Sequence, residues 1–579
     1  MDVVFEASNN VLESRAVGIF LDYLSIIDDP YDDRKFLNVL SCGFSGIDTL
    51  DAYKLSRYLY EINYSRKEKI SAFDAAESLD APNKESLMIF IKKLSELKKV
   101  SAEIAFAPFC EKVLKESGFL EWIYQKDDKM EYLRQISSLF SEIKELNFED
   151  PSLDIKKFLG KIEIYREYKI LIQEESFLLE KKGVKVMTAH RSKGLEFEHV
   201  FITKAVDNNW GNRKSMDKIK LPENLLDISS KLEFEKNEDE RRLFFVALTR
   251  AKEKAFITYA EEYRSGGNMQ EKTISQFVKE IDEKYVEFSD GDEKVGDVEE
   301  FLDEKLRYKE EKKISEDEYL KSLLSDYKLS VTHLDNYLEC PRKFKFRNLI
   351  RIPEAKTKYM ALGTAYHKAL ERFFLEFKNS GKLPAKDILI LEYQNALKRE
   401  LLTYKEWEEL EKMGTEGLSG YYDTYRETMA IPEAVEYDFS RHDVYLENAH
   451  LTGKIDKIEK VDEFGNVKVV DYKTGNIRSK NEISGNTKNS DGNLKRQIVF
   501  YKILCDLDSR FKGKMVAGEL DFVQGKDGKY KKELVEFTDS DVSELKETII
   551  SVYNKIINLE FECVDEKGFC DACKEYTKI

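Results

Sequence analysis

The chain has 579 residues, a formal net charge of −17, 42% hydrophobic and 35% charged residues. That length exceeds what one core can organise and predicts roughly three or four domains, rich in surface charge and, with 9 prolines and 27 glycines, in long helices. No apolar run approaches membrane-spanning length, no basic-then-apolar signal opens the chain, and 7 cysteines are too few for a secreted disulfide scaffold; the expectation is a cytoplasmic protein, with no membrane partner, whose clustered cysteines hold a metal.

In chain order, the segments Val3 to Val17 and Phe20 to Asp33 come first. Residues from about 34 to 180 carry helical periodicity, as in the run Leu87 to Leu94. An apolar strand beginning at Val184 then enters a polar loop, and a second apolar strand runs from Val200 to Thr203. Downstream, the charged stretch Glu238 to Lys252 ends in Ala-Leu-Thr-Arg-Ala (Ala247 to Ala251) and precedes an apolar strand, Ala255 to Tyr259. Two groups of residues carry a resemblance: His190, Lys193, Gly194, Leu195 and Glu196, then Arg241, Arg242, Thr249, Arg250 and Ala251. They resemble motifs V and VI of the UvrD/Rep class of superfamily 1 helicases, part of the second RecA-like motor lobe.

That resemblance implies an arginine finger at Arg250 for the γ-phosphate of ATP, and a ribose or triphosphate contact at Glu196. It places His190 to Lys193 against single-stranded DNA. Arg241 and Arg242 also fit an ordinary amphipathic helix surface. Val3 to Val17 and Phe20 to Asp33 resemble the family's strand and helix just after motif IV. The start of the lobe thus falls in 1–33, its large helical insertion in 34–180 and its remainder in 181–265. No Gly-x-x-x-x-Gly-Lys-Ser/Thr loop occurs in these residues, nor a strand ending in paired acids. The expectation is that the ATP-binding first lobe sits on a separate polypeptide, so that ATP is used only in the complete complex.

Residues 266–326 are dominated by acidic side chains and lysine and read as an acidic linker. A basic patch follows, Arg342, Lys343, Lys345, Arg347, Arg351, Lys356 and Lys358 against Glu354, with Phe344 and Phe346 between them. It suits phosphate tracking and base stacking, or a solvated helix face over an aromatic core. Next comes His367 on an apparent helix, Leu362 to Glu371, with Glu371 one turn further on as an assistant or a surface residue. Then Leu-Thr-Gly-Lys-Ile-Asp ends at Asp456, and Val-Val-Asp-Tyr-Lys carries Asp471 and Lys473. Both look like short strands, and period-2 alternation sets Asp471 and Lys473 on one face. Two strand-borne carboxylates make a hard-oxygen site of the kind Mg²⁺ prefers. Gln497 and Tyr501 lie at i and i+4 on a helix and share a face.

In this order the pieces resemble the PD-(D/E)XK nuclease fold, in its Asp-Tyr-Lys form, and its RecB-like branch. The resemblance implies phosphodiester hydrolysis with Mg²⁺ or Mn²⁺ held by His367, Asp456, Asp471 and the Tyr472 carbonyl, with Lys473 orienting water or stabilising the phosphate and Gln497 and Tyr501 bracing the site. Cys340 precedes this domain while Cys563, Cys570 and Cys573 follow it, which resembles the [4Fe–4S] clamp of AddB-type and CRISPR-associated nucleases. The family's tail places a cysteine where this chain has Ile579, so Cys563 would be the fourth ligand; Zn²⁺ suits the same thiolates, and a buried cysteine without metal remains open.

The fold expected is α/β: a partial RecA-like helicase lobe with a large helical insertion, followed by a PD-(D/E)XK nuclease domain over 327–579. The function expected is DNA cleavage in double-strand-break processing and repair, coupled to a 3′–5′ motor. The alternatives are a non-catalytic DNA-binding scaffold subunit or a stand-alone RecB-like exonuclease.

Overall fold

A computed structural model describes residues 3–5, 10–65, 70–78, 84–174, 184–212, 233–265, 268–289, 315–354, 356–488, 490–526, 528–563, 565 and 570–576. The chain divides into two compact units, 1–8 with 178–312, and 9–177 with 313–579.

In the first unit, β1 (Val3–Phe5) pairs in parallel with β2 (Val184–Val186), and β3 (Phe197–Ile202) pairs in parallel with β4 (Ala251–Ile257). A hairpin of β5 (Glu262–Ser265) and β6 (Asn268–Glu271) follows. A helix over Glu233–Leu248 covers part of β3 and β4, and Ile202, Ala205, Phe244, Ala247, Phe277 and Val278 form a small core. Two of those core residues lie in the stretch expected as linker. Residues 268–285 are folded there because Phe277 and Val278 have apolar partners to bury against, which an acidic average conceals. The centre of that linker, 290–314, lies outside the described residues.

The second unit opens with the helix Arg15–Asp28, capped by Ser14, whose Oγ accepts from the Val17 N–H. Ala16, Val17, Phe20, Leu24 and Ile27 are all buried, and ten of its 14 residues are inside, so it is a bundle's central helix. By their contacts, residues from 9 onward cluster with the helices to 177. The helix Lys129–Glu149 joins this bundle to the segments that follow 313. Lys129 and Lys345 both pair with Glu316 at the N-terminus of the helix Glu316–Leu323, and Tyr124 packs edge-on against Phe346 at 5.4 Å. Glu316 fixes the end of the expected linker to the bundle.

Five strands form the sheet that carries the candidate site, in the order β13 (Lys529–Val535), β12 (Met515–Lys526), β11 (Val467–Lys473), β10 (Lys454–Lys460), β7 (Pro432–Asp438). A separate hairpin pairs β8 (Val444–Leu446) with β9 (Ala449–Leu451). Only β11 and β12 run parallel, and a parallel pair needs a crossover; the helix Asn493–Leu507 supplies it and packs on the sheet. The approach is close, since a Cβ at Gly518 of β12 would fall 2.1 Å from the Ile498 side chain. The helices Lys358–Ser380, Lys386–Leu397 and Tyr404–Tyr425 form a second core with Val470, Tyr472 and Val523 of the sheet. Among the described residues no helix is long and apolar enough to cross a membrane.

The basic patch resolves against its stacking reading. Phe344 and Phe346 are buried, Phe344 against Tyr337 and Phe346 against Tyr576. Lys343 pairs with Glu339, Arg347 with Glu354, Lys356 with Glu400 and Lys358 with Glu409. Aromatic side chains gain more from the core than from solvent, and their basic neighbours are left on the rim with local acids.

Candidate active site

The strand registers set three acids in a row. Lys457 faces Val470 across β10 and β11, which puts Asp456 opposite Asp471; Ile455 faces Tyr437 and Lys457 faces Val435, which puts Asp456 opposite Glu436 of β7. Directly opposed like charges destabilise a sheet unless cations sit among them. Here His367 Nδ1 lies 3.1 Å from Asp456 Oδ1, Lys454 pairs with Glu436, and Lys473 Nζ lies 2.7 Å from Asp471 Oδ2. Donor atoms of His367, Glu436 and Asp456 all fall within 4.8 Å of one another. His367 and Glu436 border a cleft of ≈ 420 Å³ that Lys356, Lys368, Glu371 and Lys454 also line.

Glu436 was not singled out by the sequence reading. Its backbone has φ +51°, left-handed and unusual for a non-glycine residue within a strand, which costs energy and turns up at functional sites. The signal available beforehand was a lone acid in Pro432–Asp438, a strand with no motif around it. Burial raises its pKa, with Asp456 and Glu371 adding to the rise and Lys454 opposing it.

Asp471 is 3% exposed and is held differently. Its Oδ1 accepts from Gln497 Nε2 at 2.9 Å and from the Tyr501 hydroxyl at 3.0 Å, and Gln497 Nε2 also donates to Tyr501 Oη at 2.8 Å. Lys473 Nζ donates to Gln497 Oε1 at 2.7 Å, which closes a ring of four side chains. Burial raises the Asp471 pKa, and the Asp456 charge raises it further while Lys473 opposes both. At His367 burial disfavours the imidazolium, but the hydrogen bond and charge of Asp456, with Asp471 and Glu436 behind, outweigh it and lift the pKa.

All six residues expected at the site thus converge, with Asp471 in the bracing ring and Glu436 joining His367 and Asp456. Tyr472 donates its N–H to Asp456 Oδ2 at 2.8 Å, and its buried ring stacks beside Phe374. Glu371 pairs with Lys368 at 2.6 Å and is not one of the trio. One imidazole among carboxylate oxygens, with neutralising lysines already present, fits a hard divalent cation such as Mg²⁺ or Mn²⁺.

The second cluster is also assembled. Sγ of Cys340 lies 3.8 Å from that of Cys563, Cys563 lies 3.5 Å from Cys573, and Cys573 lies 3.6 Å from Cys570. All four sulfurs sit within 4.8 Å of one another, a grouping able to bind a metal ion. In the first unit, the Phe197 N–H donates to the Arg250 carbonyl and brings the two motor segments together. The Arg250 guanidinium donates to the carbonyls of Val246 (3.0 Å) and Leu195 (3.1 Å) and to Thr249 Oγ1, and Glu196 pairs with Lys252 at 3.3 Å. Arg241 pairs with Glu280 and Arg242 with Asp239.

Residues 328–576 match the PD-(D/E)XK nuclease superfamily and residues 20–262 match the UvrD-like helicase C-terminal domain. Similar proteins include an ATP-dependent DNA helicase PcrA of Leuconostoc citreum, 25% identical over 283 residues, covering 48% of this chain and 35% of that protein. Another is an ATP-dependent helicase/nuclease subunit of Ligilactobacillus salivarius, 26% identical over 284 residues, covering 43% of this chain and 22% of its own length. A third is the PcrA of Bacillus subtilis, 24% identical over 284 residues, covering 48% and 35%. The chain thus spans about a third or less of the length of these curated relatives. It combines a UvrD-like helicase C-terminal domain with a PD-(D/E)XK nuclease domain in one mixed α/β polypeptide.

Proposed function

We propose that this chain is the nuclease-bearing part of a helicase–nuclease that cleaves DNA during the processing of double-strand breaks, with Mg²⁺ or Mn²⁺ as cofactor. The observation that carries this reading is the three-acid row with His367, next to a lysine fixed by two partners. His367, Glu436 and Asp456 would hold the cation, and Asp471 would complete its surroundings. Bound there, the cation neutralises charge on a phosphate and acidifies water. Lys473 does the work that positioned cations do at phosphates: its ammonium is kept at a fixed place by Asp471 and Gln497, so little reorganisation is needed as charge develops. Lys356, Lys368 and Lys454 line the cleft but are paired with Glu400, Glu371 and Glu436, so a bound cation would supply the local positive charge that a phosphate backbone needs against the net charge of −17.

In the motor half, Arg250 and Glu196 are read as nucleotide-facing groups, for a 3′–5′ motor acting with a first lobe supplied by residues other than these. No phosphate loop occurs in the 579 residues, so Arg250 can only stabilise charge on a phosphate bound by something else. The test is cleavage of a labelled DNA duplex and single strand with Mg²⁺ or Mn²⁺. The chain degrades DNA, and Asp456→Asn and Lys473→Ala each remove the activity while leaving the fold intact. Cleavage unchanged in both variants overturns the reading.

A further inference from the structure

The four sulfurs that clamp the ends of the nuclease half discriminate between metals by their spacing. Around a tetrahedral Zn²⁺ with Zn–S bonds of about 2.3 Å, neighbouring thiolates lie about 3.8 Å apart. A [4Fe–4S] cube carries its irons at the corners and spreads its four cysteine sulfurs to about 6 Å. The separations here are 3.8, 3.6 and 3.5 Å, with the remaining pairs inside 4.8 Å. They span the mononuclear value and stop short of the cluster value.

Two corners of the cage are held by packing. Cys340 and Cys573 are fully buried. Cys340 caps the short helix Pro341–Phe344, whose buried Phe344 stacks beside Phe561, and the amides of Lys343 and Arg342 approach its sulfur. Three residues past Cys573, the buried Tyr576 stacks on Phe346 at 5.1 Å and donates its hydroxyl to Glu354 at 3.0 Å. Spreading Cys340 and Cys573 to the cluster separation would disturb this packing. The Cys570-Asp-Ala-Cys573 spacing serves zinc and iron–sulfur sites alike, but Ile579 stands where the iron–sulfur pattern has its last cysteine.

We propose that Cys340, Cys563, Cys570 and Cys573 hold a single Zn²⁺ as a tetrathiolate, in place of the [4Fe–4S] cluster that the resemblance implies. The ion closes a loop between positions 340 and 563 and fixes Tyr576, and through it Phe346 and Glu354, at the junction with the helical bundle. This inference is independent of the nuclease reading, because it concerns metal content and stability and not cleavage.

The experiment is elemental analysis of the full chain, purified without oxygen from cells supplied with both iron and zinc. The expected result is colourless protein with one zinc per chain and no iron. Stripping the ion lowers Tm, Zn²⁺ restores it, and Co²⁺ in its place gives the visible bands of a tetrahedral thiolate site. Cys563→Ser or Cys570→Ser loses the zinc, whereas Cys505→Ser, a buried cysteine outside the group, keeps it. Brown protein with iron and inorganic sulfide overturns the proposal, and so does metal-free protein whose Tm zinc leaves unchanged.

Discussion

The ring around Asp471 makes a quantitative test possible with the loss of one oxygen atom. Tyr501→Phe keeps the buried ring and deletes the hydroxyl that donates to Asp471 Oδ1 at 3.0 Å and accepts from Gln497 at 2.8 Å. A hydrogen bond to a buried charged group is worth about 1.5–3 kcal/mol. If that stabilisation orients Asp471 during cleavage, its loss slows the chemical step by about 10- to 100-fold. Burial already raises the Asp471 pKa, so losing a donor raises it further and moves the acid side of the rate profile to higher pH. The double variant with Gln497→Leu should fall short of additivity by about 0.5–3 kcal/mol, because the two side chains share one carboxylate and each other. The assay is single-turnover cleavage at saturating Mg²⁺, with denaturant unfolding run alongside to separate stability from rate. A Tyr501→Phe rate within about twofold of wild type, or strict additivity in the double variant, would refute the claim that this ring orders the site.

Gly414→Ala should destabilise the nuclease half by about 2 kcal/mol in denaturant unfolding, more than helix propensity returns, because its Cβ would fall 2.0 Å from Cζ of the buried Tyr393. Burial, with Arg351 nearby, pushes His333 down to about 4, so between there and pH 6.5 the unfolded chain binds a proton that the folded one refuses. The His333 contribution is present above about pH 6.5 and is lost, about 3 kcal/mol in all, as pH falls toward 4; His333→Gln should flatten that slope in acid unfolding. The chain alone should show no ATP turnover above that of Arg250→Ala. Adding a polypeptide with a first motor lobe should give DNA-stimulated turnover that Arg250→Ala lowers by roughly 10³-fold or more.

The sequence made the site legible where chemistry needs particular residues at fixed spacing. Asp471 and Lys473 share a strand face, and Gln497 and Tyr501 share a helix face, so period alone puts each pair together. Glu436 escaped because its place depends on which strand lies beside β10, a register no local pattern encodes. The basic patch misled for a related reason. Spacing alone offers Lys343 its partner Glu339 at i−4, but the burial of Phe346 depends on packing against Tyr576, far later in the chain, and Arg347 pairs with Glu354 beyond the helix end. In β10, a strand reading Lys-Ile-Asp-Lys-Ile-Glu-Lys looks half-solvated, yet Lys457 is 1% exposed, paired with Glu459 at 2.7 Å and 4.2 Å from the Phe374 ring centre.

The same logic explains why the three-acid row can exist in a folded protein. Three facing carboxylates on adjacent strands repel one another, and burial makes that repulsion harder to screen. The chain answers with one basic side chain per acid: Lys454 at Glu436, His367 at Asp456 and Lys473 at Asp471. These partners are not equivalent. Lys473 is locked by Gln497, whereas the Lys454 side chain is about half exposed and has solvent to move into. A divalent cation held at Glu436 would therefore take the place of the Lys454 charge, and the ring at Asp471 would keep its partners. That division would let three acids on neighbouring strands fold without metal and still accept one, with Lys473 held in position throughout.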